Sequence, residues 1–178
     1  MQWPGPHDRQ ALASAALAKI DAGAYTLSLT GVNASTLSAV QANAKVTSFS
    51  FTDTSVNIAL KLDALQLVGN KLTSISQSGT KTALTITAAQ LSSNSATLDK
   101  IDASADAPYT LSITGVQTSQ LSDIATNTKI TSFSVNDTAA HVSEALTALQ
   151  TANTKIKTIT LTDAAPALSV KVADFTSA

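Results

Sequence analysis

Apolar and polar positions change their period several times along this chain. From Tyr25 to Thr30 they alternate, with Leu27 and Leu29 on one side and Thr26, Ser28 and Thr30 on the other. A period of two predicts a half-buried strand. Gly31 can end that strand, and Asn33 or Ser35 can cap a short helix carrying Leu37 and Val40. A second strand is predicted from Val46 to Thr52 with Phe49 and Phe51 inward, followed by Asp53 as the expected N-cap of a longer helix. Ile58, Leu62 and Leu65, at spacings of four and three, give that helix one apolar face, and Gly69-Asn70 stops it. A third strand runs from Leu72 to Ser76, SGTK (Ser78 to Lys81) turns the chain, and a fourth strand, Ala83 to Thr87, carries Leu84 and Ile86. Helical spacing resumes at Ala88, with Leu91, Leu98 and Ile101 on one side.

The same order then returns. Tyr25 to Val32 reads YTLSLTGV and Tyr109 to Val116 reads YTLSITGV, an offset of 109 − 25 = 84. KVTSFSFTDT from Lys45 returns as KITSFSVNDT from Lys129, and 129 − 45 is again 84. The later strands of the second copy hold Ile159 and Leu161, then Leu168 and Val170; its helices hold Leu121 and Ile124, then Val142, Leu146 and Leu149. Lys19-Ile20-Asp21 matches Lys100-Ile101-Asp102 at an offset of only 81, so the linker before Tyr109 is three residues longer than the one before Tyr25. Such length changes belong in exposed loops.

Strands that alternate with helical stretches favour parallel pairing through helical crossovers. A fixed long period is the mark of stacked architectures, in which neighbouring units bury one another's apolar faces. The expected fold is therefore α/β: a repeat solenoid with a mostly parallel sheet on one side and helices on the other, in two 84-residue units. Residues 1–9 read as a leader outside the repeat, and residues 10–178 as a single repeat domain. Unit one spans about 25–101 and unit two about 109–178, while the helix 10–20 comes from a partial preceding unit. Neither end carries the polar cap usual in solenoids, so the expectation is a fragment of a longer array or a subunit that stacks end to end. SGTK is too short for a parallel crossover, which needs about a dozen residues. Strands three and four of each unit are thus a hairpin or an arch into a second sheet.

Composition narrows the function. Charged residues make up 13% of the chain, against a usual share of about 25%. Ser, Thr and Ala fill their place, a surface more typical of exported proteins than of cytosolic enzymes. Net charge is −1, which gives no footprint for nucleic acid. No apolar run approaches the length of a membrane-spanning helix, so no membrane insertion is expected. There is no Cys, hence no disulfide framework and no thiolate metal site.

Candidate chemistry is sparse. The two histidines are His7, in the leader, and His141, at the helical position where the first copy has Asn57. The sequence has no nucleophile elbow, zincin motif or phosphate-binding loop. Asp53 and Asp137 recur at the repeat offset and read as helix caps rather than as a cation site. Asp99, Asp102 and Asp106 cluster loosely without a calcium-loop pattern. Neither an enzyme nor a cofactor is expected. The feature with most surface meaning is a row of hydroxyls on the outer strand face. In the first copy it comprises Thr26, Ser28, Thr30, Ser48, Ser50, Thr52, Thr85 and Thr87. In the second it comprises Thr110, Ser112, Thr114, Ser132, Ser134, Thr158 and Thr160. On a regular sheet these would form a grid of hydroxyls able to meet a glycan or ice.

TSFSFTDTSVNIALKLDALQ (Thr47 to Gln66) and TSFSVNDTAAHVSEALTALQ (Thr131 to Gln150) resemble degenerate repeats of very large secreted or surface proteins of Gram-negative bacteria. In those proteins a TD-like helix start, an LDALQ-like helix end and an ITSI-like strand recur many times. The resemblance covers nearly everything from Ala11 onward. It implies a stalk, surface layer or adhesive segment, often exported by type I secretion, with no catalytic residues to carry over. The expectation is a non-enzymatic extracellular or cell-surface module, a rigid spacer or a self-associating segment. Its partners would be further copies of itself, end to end, with a surface glycan as the alternative ligand of the hydroxyl face.

Overall fold

All but the last of the period-two stretches become parallel strands, and the strands divide between two sheets. The computed structural model describes residues 16–20, 25–101 and 109–172. Strands β1 (Leu27–Val32), β2 (Val46–Asp53) and β3 (Leu72–Gln77) form the first sheet, in that order. Strands β4 (Leu84–Thr87), β5 (Leu111–Val116), β6 (Ile130–Asp137) and β7 (Ile156–Leu161) form the second, also in chain order. Seven α-helical segments lie between them among the described residues: α1 (Leu37–Ala42), α2 (Ser55–Leu67), α3 (Ala88–Ser93), α4 (Ser95–Leu98), α5 (Leu121–Thr126), α6 (Ala139–Glu144) and α7 (Leu146–Thr151). The leader 1–9 and most of the expected helix 10–20 fall outside the described residues.

The expectation of one sheet is corrected to two, and the cause is the short link after β3. Residues 78–83 cannot carry the chain through a helical crossover back alongside β3. They form an arch, and β4 opens a new sheet rather than a hairpin. A single bridge, Ile75 to Ile101, extends the first sheet beyond β3.

Registers match across the two sheets. Leu27 faces Val46 as Leu111 faces Ile130, Leu29 faces Phe49 as Ile113 faces Phe133, and Phe51 faces Ile75 as Val135 faces Ile159. Both first strands carry a bulge, because Leu29 to Val32 spans one residue more than its partners Phe49 to Phe51. The extra residue is accommodated at Gly31 and Gly115, each with φ of 69°. A Cβ built at either glycine would meet nothing, so the left-handed backbone, not lack of space, selects glycine there.

Helix α2 buries Ile58, Leu62 and Leu65, as the spacing predicts, and leaves Val56, Leu60 and Leu67 exposed. Its cap is not Asp53 but the next residue. Thr54 accepts a bond from the Asn57 N–H at 3.3 Å, and Thr138 does the same for His141 before α6. Asn33 makes a local turn, its side-chain oxygen accepting from the Ser35 and Thr36 N–H groups, and α1 begins only at Leu37. Thr87 and Gln90 form a reciprocal capping box at α3.

One apolar cluster joins the two sheets, with Phe49, Phe51, Leu62 and Ile75 from the first copy in the same core as Leu84, Leu111, Ile113 and Phe133. Polar bonds also cross the arch. Asp63 of α2 accepts from Gln90 Nε2 at 3.0 Å and Asn94 Nδ2 at 2.6 Å. Lys100 Nζ donates to the carbonyls of Gly69 and Leu72 at 2.7 and 2.8 Å, holding the end of α2 and the start of β3 together.

The expected fourth strand of the second copy is absent. Residues 166–171 have no strand partner, and Leu168 and Val170 are exposed, whereas their counterparts Leu84 and Ile86 are buried beside β5. A strand needs a ladder to form, and nothing among the described residues supplies one there.

Candidate functional site

The hydroxyl face is only partly a grid. Thr26, Ser28, Thr30, Thr85, Thr87, Thr158 and Thr160 are exposed; Ser48, Ser50, Thr52, Thr110, Thr114, Ser132 and Ser134 are half-buried; Ser112 is buried. Pairing brings Thr85, Ser112 and Ser132 into one row across three strands, and Ser134 beside Thr158. Thr87 pairs with Thr114, but its side chain is engaged as the α3 cap. The arch puts the residues from Thr26 to Thr52 and those from Thr85 onward with separate sheets, so they do not share one continuous ladder.

Several hydroxyls satisfy one another. Ser48 Oγ donates to Ser28 Oγ at 2.8 Å, and Ser132 Oγ donates to Ser112 Oγ at 3.0 Å, 84 residues on. Ser112 lies on an interior strand between Thr85 and Ser132, and Lys157 Nζ also reaches over from β7 to its Oγ at 3.3 Å; that serine is buried. What remains is a set of exposed threonines at the sheet edges, able to make weak neutral hydrogen bonds.

Two carboxylates form the most organised polar feature. Asp53, at the end of β2, accepts from the Ala34 N–H at 2.8 Å, the Thr54 N–H at 2.8 Å and Asn57 Nδ2 at 2.7 Å. Asp137, at the end of β6, accepts from the Thr118 N–H and hydroxyl, at 2.8 and 2.9 Å, from the Thr138 N–H at 2.8 Å and from His141 Nδ1 at 2.7 Å. Each aspartate thereby clamps the loop after one strand to the helix start after the next. The sequence placed these acids correctly but assigned them to the wrong bond: they hold two backbone segments together rather than capping one.

His141 makes the second clamp differ from the first. Its ring lies beside a cleft of about 340 Å³ lined by Gln117, Thr118, Ser119, Asp137, Glu144 and Ala145. Burial pushes the Asp137 carboxyl up, but its hydrogen bonds from Thr118, His141 and Thr138 outweigh this and hold it far below the usual carboxylate range. The same balance, with Ala34, Asn57 and Thr54 as donors, lowers Asp53. His141 is raised by its bond to Asp137 and by that group's charge, with Glu144 and Asp163 adding to the effect. An ionised carboxylate only accepts, so Nδ1 carries the proton toward Asp137.

The pair has the outline of a base and its orienting acid. Thr118 Oγ1, on the same cleft, bonds to Asp137 rather than to the imidazole. With four donors on its two oxygens, Asp137 has no lone pair left for a cation. Among the described residues no group of three His, Asp or Glu side chains converges as a metal site. Asp99 is exposed, and Asp102 and Asp106 lie outside the described residues.

A cation–π contact also recurs: Lys45 Nζ sits 4.3 Å from the Tyr25 ring centre and Lys129 Nζ 4.4 Å from that of Tyr109. No family model, curated protein or solved structure matches the chain. Among the described residues no helix is long and apolar enough to cross a membrane.

Proposed function

We propose that this chain is a non-enzymatic structural module of an extracellular or cell-surface protein, a rigid spacer or self-associating segment built as an α/β solenoid of two 84-residue units. The observation that carries this reading is the duplication of its internal fasteners. The aspartate clamp, the serine pair and the lysine–tyrosine contact each occur twice at the same offset, in matching geometry. These polar groups bond the chain's own backbone and side chains. A carboxylate whose oxygens are filled by Thr118, Thr138 and His141 is engaged in holding loops in place, which supports a structural role.

A low-charge surface rich in Ser and Thr suits a module displayed outside the cell, where stiffness matters more than steering of a charged substrate. The polar-ligand alternative, a glycan or ice on the Thr/Ser face, is weakened by the serine pairing and by the division of the face between two sheets. Surface labelling tests the main reading. In cells that make the protein, protease added to intact cells should remove the epitope of an antibody raised against the purified chain. Protection until the cells are lysed would overturn the proposal.

A further inference from the structure

Several equivalent apolar residues of the two copies differ in exposure where one of them has no strand neighbour among the described residues. Ile75 is 0% exposed and bridges to Ile101, whereas Ile159, 84 residues later, is 43% exposed. Leu168 and Val170 are 50% and 43% exposed, against 0% and 1% for Leu84 and Ile86. At the other end, Leu27 and Leu29 of β1 are half-buried while Leu111 and Ile113 of β5 are buried. Ile20 is 45% exposed; its counterpart Ile101 is buried.

In the middle of the chain is a junction that has no counterpart at either end of the described residues. There β4 lies parallel to β5, with Leu84 opposite Leu111, Thr85 opposite Ser112 and Ile86 opposite Ile113. Leu84 N–H donates to the Thr110 carbonyl at 2.9 Å, and Ile75 N–H to the Lys100 carbonyl at 2.7 Å. The C-terminal segment is already held in the matching place. Ser169 N–H donates to Ser143 Oγ of α6 at 3.0 Å, and a groove lined by Ala140, Ser143, Ala167 and Ser169 corresponds to the one lined by Val56, Ala59, Ala83 and Thr85. Among the described residues no strand lies beside that segment. An unpaired sheet edge is a template for strand addition, and unlike ends that fit each other generate open chains of copies.

We propose that a second copy of this chain docks head to tail. Residues 168–171 of one copy add as a parallel strand to the free edge of β1 in the next, with Leu168 opposite Leu27, Ser169 opposite Ser28 and Val170 opposite Leu29. Lys19-Ile20 of that next copy bridges to Ile159 as Lys100-Ile101 bridges to Ile75. The inference rests on the structural-module reading above and supplies its partner and register.

The chain has no Cys, so engineered thiols report contacts without background. Full-length Ser28→Cys and Ser169→Cys chains are mixed and oxidised with diamide, and each is also oxidised alone. Disulfide-linked heterodimers should form in the mixture, and the doubly substituted chain should give a ladder of multimers. Homodimers from either single variant, equal to the heterodimer in yield, would show symmetric edge pairing and overturn the register. Sedimentation of the unmodified chain should show concentration-dependent growth. Leu168→Asp with Val170→Asp, both at exposed positions, should leave the circular dichroism unchanged and weaken association about 100-fold. A chain that stays monomeric at about 1 mM, near the weak limit of specific association, overturns the docking while leaving the surface-labelling result untouched. A chain protected inside intact cells overturns the module reading while leaving the disulfide ladder as it stands.

Discussion

Removing the clamp carboxylates separates the two copies energetically. Asp137→Ala strips an acceptor from two backbone N–H groups, a hydroxyl and an imidazole; Asp53→Ala strips one from two backbone N–H groups and an amide. Hydrogen bonds to a charged group contribute about 1.5–3 kcal/mol each, and a buried donor left unpaired costs about 1–3 kcal/mol. These terms are not additive within one network. Asp137 is buried, so water replaces it less readily for the Thr118 and Thr138 donors, although His141 is exposed; Asp53 is half-buried, and water can replace it. Asp137→Ala is therefore expected to cost about 3–4 kcal/mol and Asp53→Ala about 2 kcal/mol. Asp137→Asn should cost nearly as much as alanine, because its amide nitrogen must face donors on one side. Urea unfolding followed by circular dichroism measures this, with the slope m unchanged if only the native state is altered. For a chain of this size the melting temperature should fall by about 2–4 °C per kcal/mol. The reasoning fails if Asp53→Ala is as costly as Asp137→Ala, or if both stay within about 0.5 kcal/mol of the parent, the range of ordinary surface substitutions.

Stability should fall on both sides of a plateau. Asp53 and Asp137 are lowered in the folded chain, so their contribution is present above the ordinary value of 3.8 and is lost as pH falls below it. His141 is raised, so its contribution is complete below 6.5 and is lost as pH rises through its higher folded value. His141→Asn, which copies Asn57, should flatten the alkaline side and leave the acid side intact, as read from melting temperature between pH 3 and 9 in steps of about one unit. Gly115→Ala and Gly31→Ala should each cost about 1–2 kcal/mol with no change of fold, because the added methyl meets only solvent and the penalty is left-handed backbone alone. Equal stability of either variant in urea would show that the bulge can relax.

Much of this architecture was legible because its signals are local. Leu27 and Leu29, Phe49 and Phe51, and Ile58, Leu62 and Leu65 mark their elements by spacing alone, and all lie in or against the core. The division into two sheets was half legible: SGTK showed that a parallel crossover was impossible, but the choice of an arch over a hairpin depends on which edge β4 meets in space. The caps lie one residue beyond the sequence expectation, since Asp is the stronger cap by preference and only the geometry shows Asp53 reaching back to Ala34 and leaving the cap to Thr54. The clamp could have been suspected from the joint recurrence of Asp53-Thr54 and Asp137-Thr138, although its partners lie 19 residues away in sequence. The hydroxyl face was read as uniform because alternation shows which side a residue takes, not that Lys157 lies across Ser112. Leu168 and Val170 read as a strand from their pattern, and the partner that would make them one is not among the described elements.

The arch at residues 78–83 also sets how far torsion can build. Neighbouring strands rotate by about 20–25° relative to one another. Seven strands in one ladder would turn through roughly 120–150° from first to last, carrying any helical layer around with them. Breaking the ladder after β3 limits the rotation to two steps in one sheet and three in the other, or about 40–75°. Six irregular residues thus interrupt the build-up of rotation, so that each ladder stays short.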